Sequence, residues 1–253
     1  MLLAIDAGNT QTVYGLWDGS KWLATWRRNT DGAETEDELA VWLGGLCAQT
    51  NIEFKVDRVV CATVVPAIHR SVSHLAEKWL KAPLAFLERG DQVGLNVDYE
   101  PVSAVGPDRI ANALGALAKH KPPFIVVDFG TATTFDVVDE HGTYIGGAIL
   151  PGVEVASSAL VGRTSRLPRF ELEAPKSAIG KSTVHSLQAG MMLGYAGAID
   201  ALVSKIRGEL GTEALVIATG GLGSAFTKLC EYIQVYDKTL TLDGLVIAEQ
   251  RLF

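Results

Sequence analysis

Two short stretches carry residue types suited to holding phosphate. Asp6-Ala-Gly-Asn-Thr-Gln-Thr12 and Asp128-Phe-Gly-Thr-Ala-Thr-Thr134 share Asp, Gly and the final Thr at one constant offset, each after an apolar run, Leu2 to Ile5 and Ile125 to Val127. An aspartate at a strand end can hold a hydrated cation, glycine lets the backbone approach phosphate oxygens, and hydroxyl and amide groups donate to them. One such turn is equally what a polar hairpin looks like, because Gly, Asn, Asp and Thr are common turn residues. The repetition favours phosphate binding by a duplicated fold. No GxxxxGK[ST] loop exists, so no P-loop lysine is expected on the phosphates.

The elements that must position these turns are legible around them. After Asp6, alternating patterns over Thr12 to Trp17 and Trp22 to Trp26 flank an Asp18-Gly19 turn signal and predict antiparallel strands. Thr35-x-x-Glu38 is a capping box before Leu39, Trp42, Leu43 and Leu46, which fall at helical spacing. Val59 to Thr63 and Leu84 to Leu87 read as strands around a helix over Ala67 to Leu80, the alternation of an α/β domain. Gly106-Pro107 starts a helix that Lys121-Pro122-Pro123 stops.

That proline stop divides the chain into expected halves, 1–121 and 122–253, and the second half opens as the first does. The strands Thr134 to Val138 and Tyr144 to Ile149 follow its turn, with His141-Gly142 between them. A long helix is expected over about Ser182 to Arg207, with Gly190, Gly194 and Gly197 along it. Glycine costs about 1 kcal/mol against alanine inside a helix, so these predict close packing against another backbone. The last buried strand, Leu215 to Ala218, runs into Thr219-Gly220-Gly221-Leu222-Gly223, and a terminal helix spans Leu240 to Arg251.

The 253 residues are 48% hydrophobic and 20% charged, the proportions of a chain folded throughout. A formal charge of -7 argues against nucleic acid as a partner. Cys47, Cys61 and Cys230 have no CxxC spacing and read as buried thiols of a reducing cytoplasm. Neither a signal peptide nor a membrane span is expected, so the location predicted is cytoplasmic.

The paired turns resemble those of the superfamily of acetate kinase, sugar kinases, heat-shock chaperone ATPases and actin. The resemblance implies duplicated ribonuclease H-like α/β domains of the actin-like ATPase type, each a mixed five-stranded sheet with flanking helices, and an ATP cleft between the halves. Thr219-Gly220-Gly221 looks like the adenosine-side turn of that superfamily. Within it, the chain is similar over nearly its whole length to the type III pantothenate kinases. The matching motifs are Asp6-Ala-Gly-Asn-Thr10, Val97-Asp-Tyr99, Gly106-Pro-Asp-Arg109, Asp128 to Asp136, Gly146 to Gly152, Leu167-Pro168 and Ile179-Gly-Lys-Ser-Thr183.

This resemblance implies transfer of the ATP γ-phosphoryl group to pantothenate, the first step towards coenzyme A. Asp108 would be the general base, in a first helical turn whose dipole favours its ionised form. Asp6, Ala7, Gly8, Asn9, Thr10, Gln11, Thr12, Val13 and Thr131 would contact ATP. Tyr99, Gly106, Pro107, Asp108, Arg109 and Thr183 would line the pantothenate pocket. Asp128 would bind a monovalent cation, K+ or NH4+, and Asp6 would face hydrated Mg2+. A homodimer is implied as well. Two other readings stay open from sequence: a catalytically inactive regulatory ATP-binding protein of the same family, and a kinase for another small hydroxy acid or sugar.

Overall fold

The structure, a computed structural model, describes residues 1–253. It divides into two compact units, Met1–Lys119 with Leu240–Phe253, and His120–Thr239.

The first unit is built on β1 (Leu2–Ala7), β2 (Gln11–Trp17), β3 (Trp22–Asn29), β4 (Arg58–Thr63) and β5 (Leu84–Leu87), in the sheet order β3-β2-β1-β4-β5. The β1–β2 and β2–β3 pairs are antiparallel, whereas β1–β4 and β4–β5 are parallel. Between β3 and β4 runs α1 (Glu36–Gln49), whose capping box forms as the sequence predicts. The Glu38 amide donates to Thr35 Oγ1 at 3.3 Å, and the Thr35 amide donates to Glu38 Oε2 at 2.9 Å. The helix expected over Ala67 to Leu80 is α2 (Pro66–His74) followed by a π-helical turn, Leu75–Leu80, that ends at left-handed Lys81.

One sheet face packs Leu3, Ile5, Val59 and Cys61 against Leu39, Leu43, Val72 and Leu75 of the α1, α2 and π-helical segments. The other face is covered by α3 (Pro107–Lys119) and by α7 (Leu240–Leu252), the last helix of the chain. With both faces covered, β1 and β4 need apolar residues in succession rather than alternation.

The second unit repeats the plan. Its strands are β6 (Phe124–Phe129), β7 (Ala132–Val138), β8 (Tyr144–Pro151), β9 (Leu215–Gly220) and β10 (Val235–Tyr236), in the order β10-β9-β6-β7-β8. The β6–β7 and β7–β8 pairs are antiparallel, and β6–β9 and β9–β10 are parallel. Its helices are α4 (Val153–Gly162), α5 (Thr183–Leu210) and the short α6 (Gly223–Phe226). Met192, Ala196, Ile199 and Val203 of α5 pack with Ile125, Val127, Val216 and Ala218 in the core.

Two placements differ from the sequence reading. The terminal helix, taken with the 122–253 half, packs in the first unit beside α3. A Cβ on Gly244 of α7 would lie 1.8 Å from the Ala111 carbonyl oxygen, and one on Gly115 of α3 would lie 2.3 Å from that of Leu240. Backbone therefore meets backbone where these helices cross. Thr241 Oγ1 to Asn112 Oδ1 at 2.7 Å, Lys119 Nζ to Asp243 Oδ2 at 2.5 Å and Trp22 Nε1 to Asp243 Oδ1 at 2.6 Å secure the contact. The second difference concerns α5. Its Gly190, Gly194 and Gly197 are exposed, and apart from the adjoining residues and the nearby backbone of α5 itself no heavy atom of this chain lies within 4 Å of a Cβ added at any of them.

Candidate functional site

The first phosphate-type turn begins where β1 ends. Asp6 pairs with Val13 across the hairpin and with Ala62 of β4. The Ala7 carbonyl accepts from the Val64 amide at 3.2 Å, which ties the strand end to the segment leaving β4. The Gly8 amide then donates to the Gln11 carbonyl at 3.1 Å, and the chain returns through Thr12. Asn9, Thr10 and Gln11 are exposed, while Thr12 is buried. This part of the turn thus presents an amide side chain, a hydroxyl and backbone to solvent, the donors a phosphate requires.

The second turn occupies the same place in its own unit. Asp128 pairs with Thr134 on β7 and Thr219 on β9. The Gly130 amide donates to the Ala132 carbonyl at 3.1 Å, and the Thr131 carbonyl accepts from the Gly152 amide at 2.9 Å. Thr131 is exposed. Gly220, at the end of β9, has φ of +86°, and a Cβ there would lie 2.6 Å from Asp128 Oδ1 and 2.6 Å from the Phe129 carbonyl oxygen. The glycine of Thr219-Gly220-Gly221 therefore leaves room for the Asp128 carboxylate.

The ladders correct the sequence alignment of the turns by one residue. Ala7 pairs with Thr12, and its counterpart Phe129 pairs with Thr133. Residues 8–11 connect the first pair and residues 130–132 the second, so the first turn is one residue longer. The counterpart of buried Thr12 is buried Thr133. Thr134, matched to Thr12 by sequence, faces the other way and donates from Oγ1 to Asp136 Oδ2 at 3.2 Å. A one-residue shift in a strand exchanges the faces.

Asp108 and Arg109 lie in the first turn of α3. The Arg109 amide donates to Asp108 Oδ1 at 2.9 Å and to the Gly106 carbonyl at 3.1 Å. Burial of Asp108 raises its carboxyl above the usual carboxylate range, opposed by the Arg109 amide and guanidinium, which favour the ionised form. A Cβ on Gly106 would lie 2.4 Å from Asp108 Oδ1, so glycine leaves the space this carboxylate uses. The same Cβ position is 3.8 Å from Val64 Cγ1. Because the Val64 amide is bonded to Ala7, the head of α3 and the first turn share one end of the first sheet.

Among the remaining expected site residues, Tyr99 is half-buried on the segment leading to α3, between short 3-10 turns at Gly90–Val93 and Val102–Ala104. Arg109 is buried. Thr183 is the exposed first residue of α5, behind Ser182, whose Oγ accepts from the His185 amide at 3.3 Å. The first unit thus gathers Asp6 to Val13 and Gly106 to Arg109. The second carries Asp128 and Thr131 on one turn, with Thr183 at a helix start. Sequence reasoning overlooked Thr30, which touches the first turn through its hydroxyl and its amide. Its only sequence signal is its position after the third strand.

The turns suit the groups such a fold uses. Close packing at Gly152 and Gly220 shapes a backbone cradle on the second turn, and the donors on the first turn match phosphate oxygens. Single carboxylates at two strand ends suit hydrated cations that phosphate also holds.

Two mixed five-stranded sheets of the same order, each with an aspartate at the end of its first strand, define the actin-like ATPase and sugar-kinase class of fold. Solved structures agree. A protein described as a Baf family transcriptional activator from Campylobacter jejuni aligns with TM-score 0.64 and 21% identity, over 98% of this chain and 97% of that one. The activator of the 2-hydroxyisocaproyl-CoA dehydratase from Clostridium difficile, solved with ADPNP, aligns with TM-score 0.55 and 12% identity over 99% and 95%. At these identities the likeness is one of fold. Sequence similarity is narrower: the type III pantothenate kinase family pattern matches residues 2–205. The type III pantothenate kinase of Brevibacillus brevis is 40% identical over 252 residues, 99% of each chain, and that of Rhodospirillum rubrum is 42% identical over 253 residues, 99% and 98%. The chain belongs to the type III pantothenate kinase family.

Proposed function

We propose that this protein is an ATP-dependent kinase that converts pantothenate to 4'-phosphopantothenate, the first step of coenzyme A biosynthesis, with Asp108 as general base. The observation that carries this reading is Asp108 itself, a carboxylate desolvated at the head of α3, on the sheet end that also bears the first phosphate turn. Its placement follows from Pro107 at the first helical position, which starts α3, and from Gly106, which yields space to the carboxylate.

In this reading Asp6 to Val13 and Thr131 bind the nucleotide, with Asp6 facing the divalent cation. When bound, ATP with Mg2+ supplies the phosphoryl group and neutralises charge on it. Asp108 orients the primary hydroxyl of pantothenate and takes its proton late, once the loose transition state has made that proton acidic. Burial keeps Asp108 a stronger base than an exposed carboxylate. Tyr99, Gly106, Pro107, Arg109 and Thr183 hold pantothenate, Arg109 being suited to pair with its carboxylate.

Asp128 takes the monovalent cation, K+ or NH4+, a role supported by the space Gly220 leaves around its carboxylate. The working form is a cytoplasmic homodimer. Exposed small residues along α5, together with exposed Ile149, Val155 and Leu160, support a face for the second copy. No helix is long and apolar enough to cross a membrane.

Purified protein should release ADP only when pantothenate, Mg2+ and K+ or NH4+ are all present. Absence of pantothenate-dependent turnover in folded, nucleotide-binding protein would overturn the proposal. Asp108→Asn should lower kcat by about 10²- to 10⁴-fold, the usual worth of a positioned base, and leave the Kd for ATP within about twofold. Wild-type turnover in that variant would remove Asp108 from the base role.

A further inference from the structure

We infer that Thr30 is a positioning residue that fixes the first turn for nucleotide phosphates, an inference that rests on the proposed role of that turn. Thr30 is the half-buried residue just beyond β3. Its amide donates to the Thr10 carbonyl at 2.9 Å, and its Oγ1 donates to the Gly8 carbonyl at 2.6 Å. The Thr12 and Thr30 hydroxyl oxygens are 2.9 Å apart. Since the Thr30 proton goes to Gly8, Thr12 donates to Thr30. One residue thus grips the turn at Gly8, Thr10 and Thr12, while exposed Asn9 and Gln11 remain on its outer side.

Comparison with the second unit isolates what the side chain adds. Asn29 pairs with Gln11 as Pro151 pairs with Ala132, so the next residues, Thr30 and Gly152, are counterparts. Each donates its amide to the hydroxyl-bearing residue of its turn, Thr10 or Thr131. The hydroxyl bond exists only in the first unit. A Cβ on Gly152 would lie 2.4 Å from both the Gly130 and Thr131 carbonyl oxygens, so the shorter second turn excludes any side chain there. The extra residue of the first turn opens the space that Thr30 fills. The buried Thr12 hydroxyl and its half-buried acceptor Thr30 then hold a longer turn that backbone contacts alone would leave looser.

The test compares Thr30→Val, which keeps the shape and removes the hydroxyl, with Thr30→Ser, which restores it. In nucleotide-free protein, hydrogen exchange over residues 7–13 should be at least about threefold faster in Thr30→Val and close to wild type in Thr30→Ser. The KM for ATP should rise about tenfold in Thr30→Val, equivalent to about 1.4 kcal/mol, with the KM for pantothenate within about twofold. Unchanged exchange over residues 7–13 in folded Thr30→Val overturns the inference. Faster exchange with an unchanged KM for ATP instead overturns the nucleotide role of the turn, on which the inference depends. Should Thr30→Val not fold, Thr30→Ala replaces it in the comparison, and equal exchange in Thr30→Ala and Thr30→Ser is the refuting result.

Discussion

Gly220→Ala tests the link between backbone geometry and the proposed cation site. At φ of +86° an L-residue pays about 1–2 kcal/mol that glycine does not. The new methyl would also lie 2.6 Å from Asp128 Oδ1, 2.6 Å from the Phe129 carbonyl oxygen and 2.7 Å from the Phe129 nitrogen. The carboxylate can rotate away, but Phe129 is paired on both sides, to Thr133 of β7 and to Gly220 itself, so strand β6 must shift. Overpacking of this kind costs about 1–3 kcal/mol, giving a total loss of about 2–5 kcal/mol. For a chain of this length each kcal/mol lowers Tm by about 2–4 °C, so thermal denaturation followed by circular dichroism should show a fall of about 4–20 °C. Displacement of Asp128 adds a functional signature: the K+ concentration for half-maximal activity should rise at least about fivefold at a temperature where the variant is folded, by the loss of about 1 kcal/mol in a charged contact. A Tm within 1 °C of wild type would refute the steric argument, on a scale where about 4 °C is the smallest shift expected. A normal Tm deficit with unchanged K+ dependence would refute the assignment of Asp128.

Other outcomes follow from the same geometry. Because burial raises the Asp108 carboxyl, the acid limb of the kcat/KM profile should lie above that of an ordinary carboxylate, with activity falling as pH drops through it and the limb absent in Asp108→Asn. The native state then binds this proton more tightly than the unfolded chain, so stability from this group decreases as pH rises through the shifted value, and Asp108→Asn at neutral pH should melt no lower than wild type. Gly244→Ala drives a methyl into the Ala111 carbonyl and should cost about 3 kcal/mol or more by urea denaturation, against a gain of up to about 1 kcal/mol for Gly45→Ala at an exposed, uncrowded position of α1. Gly194→Arg should shift the protein from dimer to monomer in sedimentation velocity if α5 carries the second copy; an unchanged dimer rejects that face. Burial pushes the Cys47 and Cys61 thiols up and that of Cys230 up to about 12, so Ellman's reagent at neutral pH should titrate no thiol in the native protein and three after unfolding.

Local signals in the chain were enough for much of this architecture. The Thr35 and Glu38 capping box, the apolar runs at Leu2 and Ile125, and Pro107 before Asp108 are features whose consequences lie within a few residues. What escaped depends on partners distant in sequence. Glycines on α5 and those at Gly115 and Gly244 read alike as residues, yet only the latter pair meets another backbone in this chain. The terminal helix follows β10 in sequence, and its location in the first unit is decided by Gly115, Asn112 and Trp22, all more than a hundred residues away. Thr30 was invisible for the same reason, since nothing in its neighbours announces a bond to Gly8.

The paired turns show how far identity matching can mislead even when it finds the right feature. Matching Thr12 to Thr134 gave the correct inference of a duplication, yet the ladder makes Thr133 the counterpart, and Thr134 serves Asp136 instead. The displaced residue matters because the extra length of the first turn changes what can hold it. Four residues leave room for a threonine side chain to bond Gly8 and Thr12, whereas three residues bring two carbonyls against Gly152. Asp6 and Asp128 stand at equivalent strand ends, but only Asp128 has a glycine with positive φ, Gly220, shaped around its carboxylate. Equal topology with unequal loops thus gives the two turns different surroundings, which is what the two proposed tasks need. A longer, hydroxyl-braced turn can present several donors to phosphates, and a tighter, glycine-walled one can set a carboxylate for a cation.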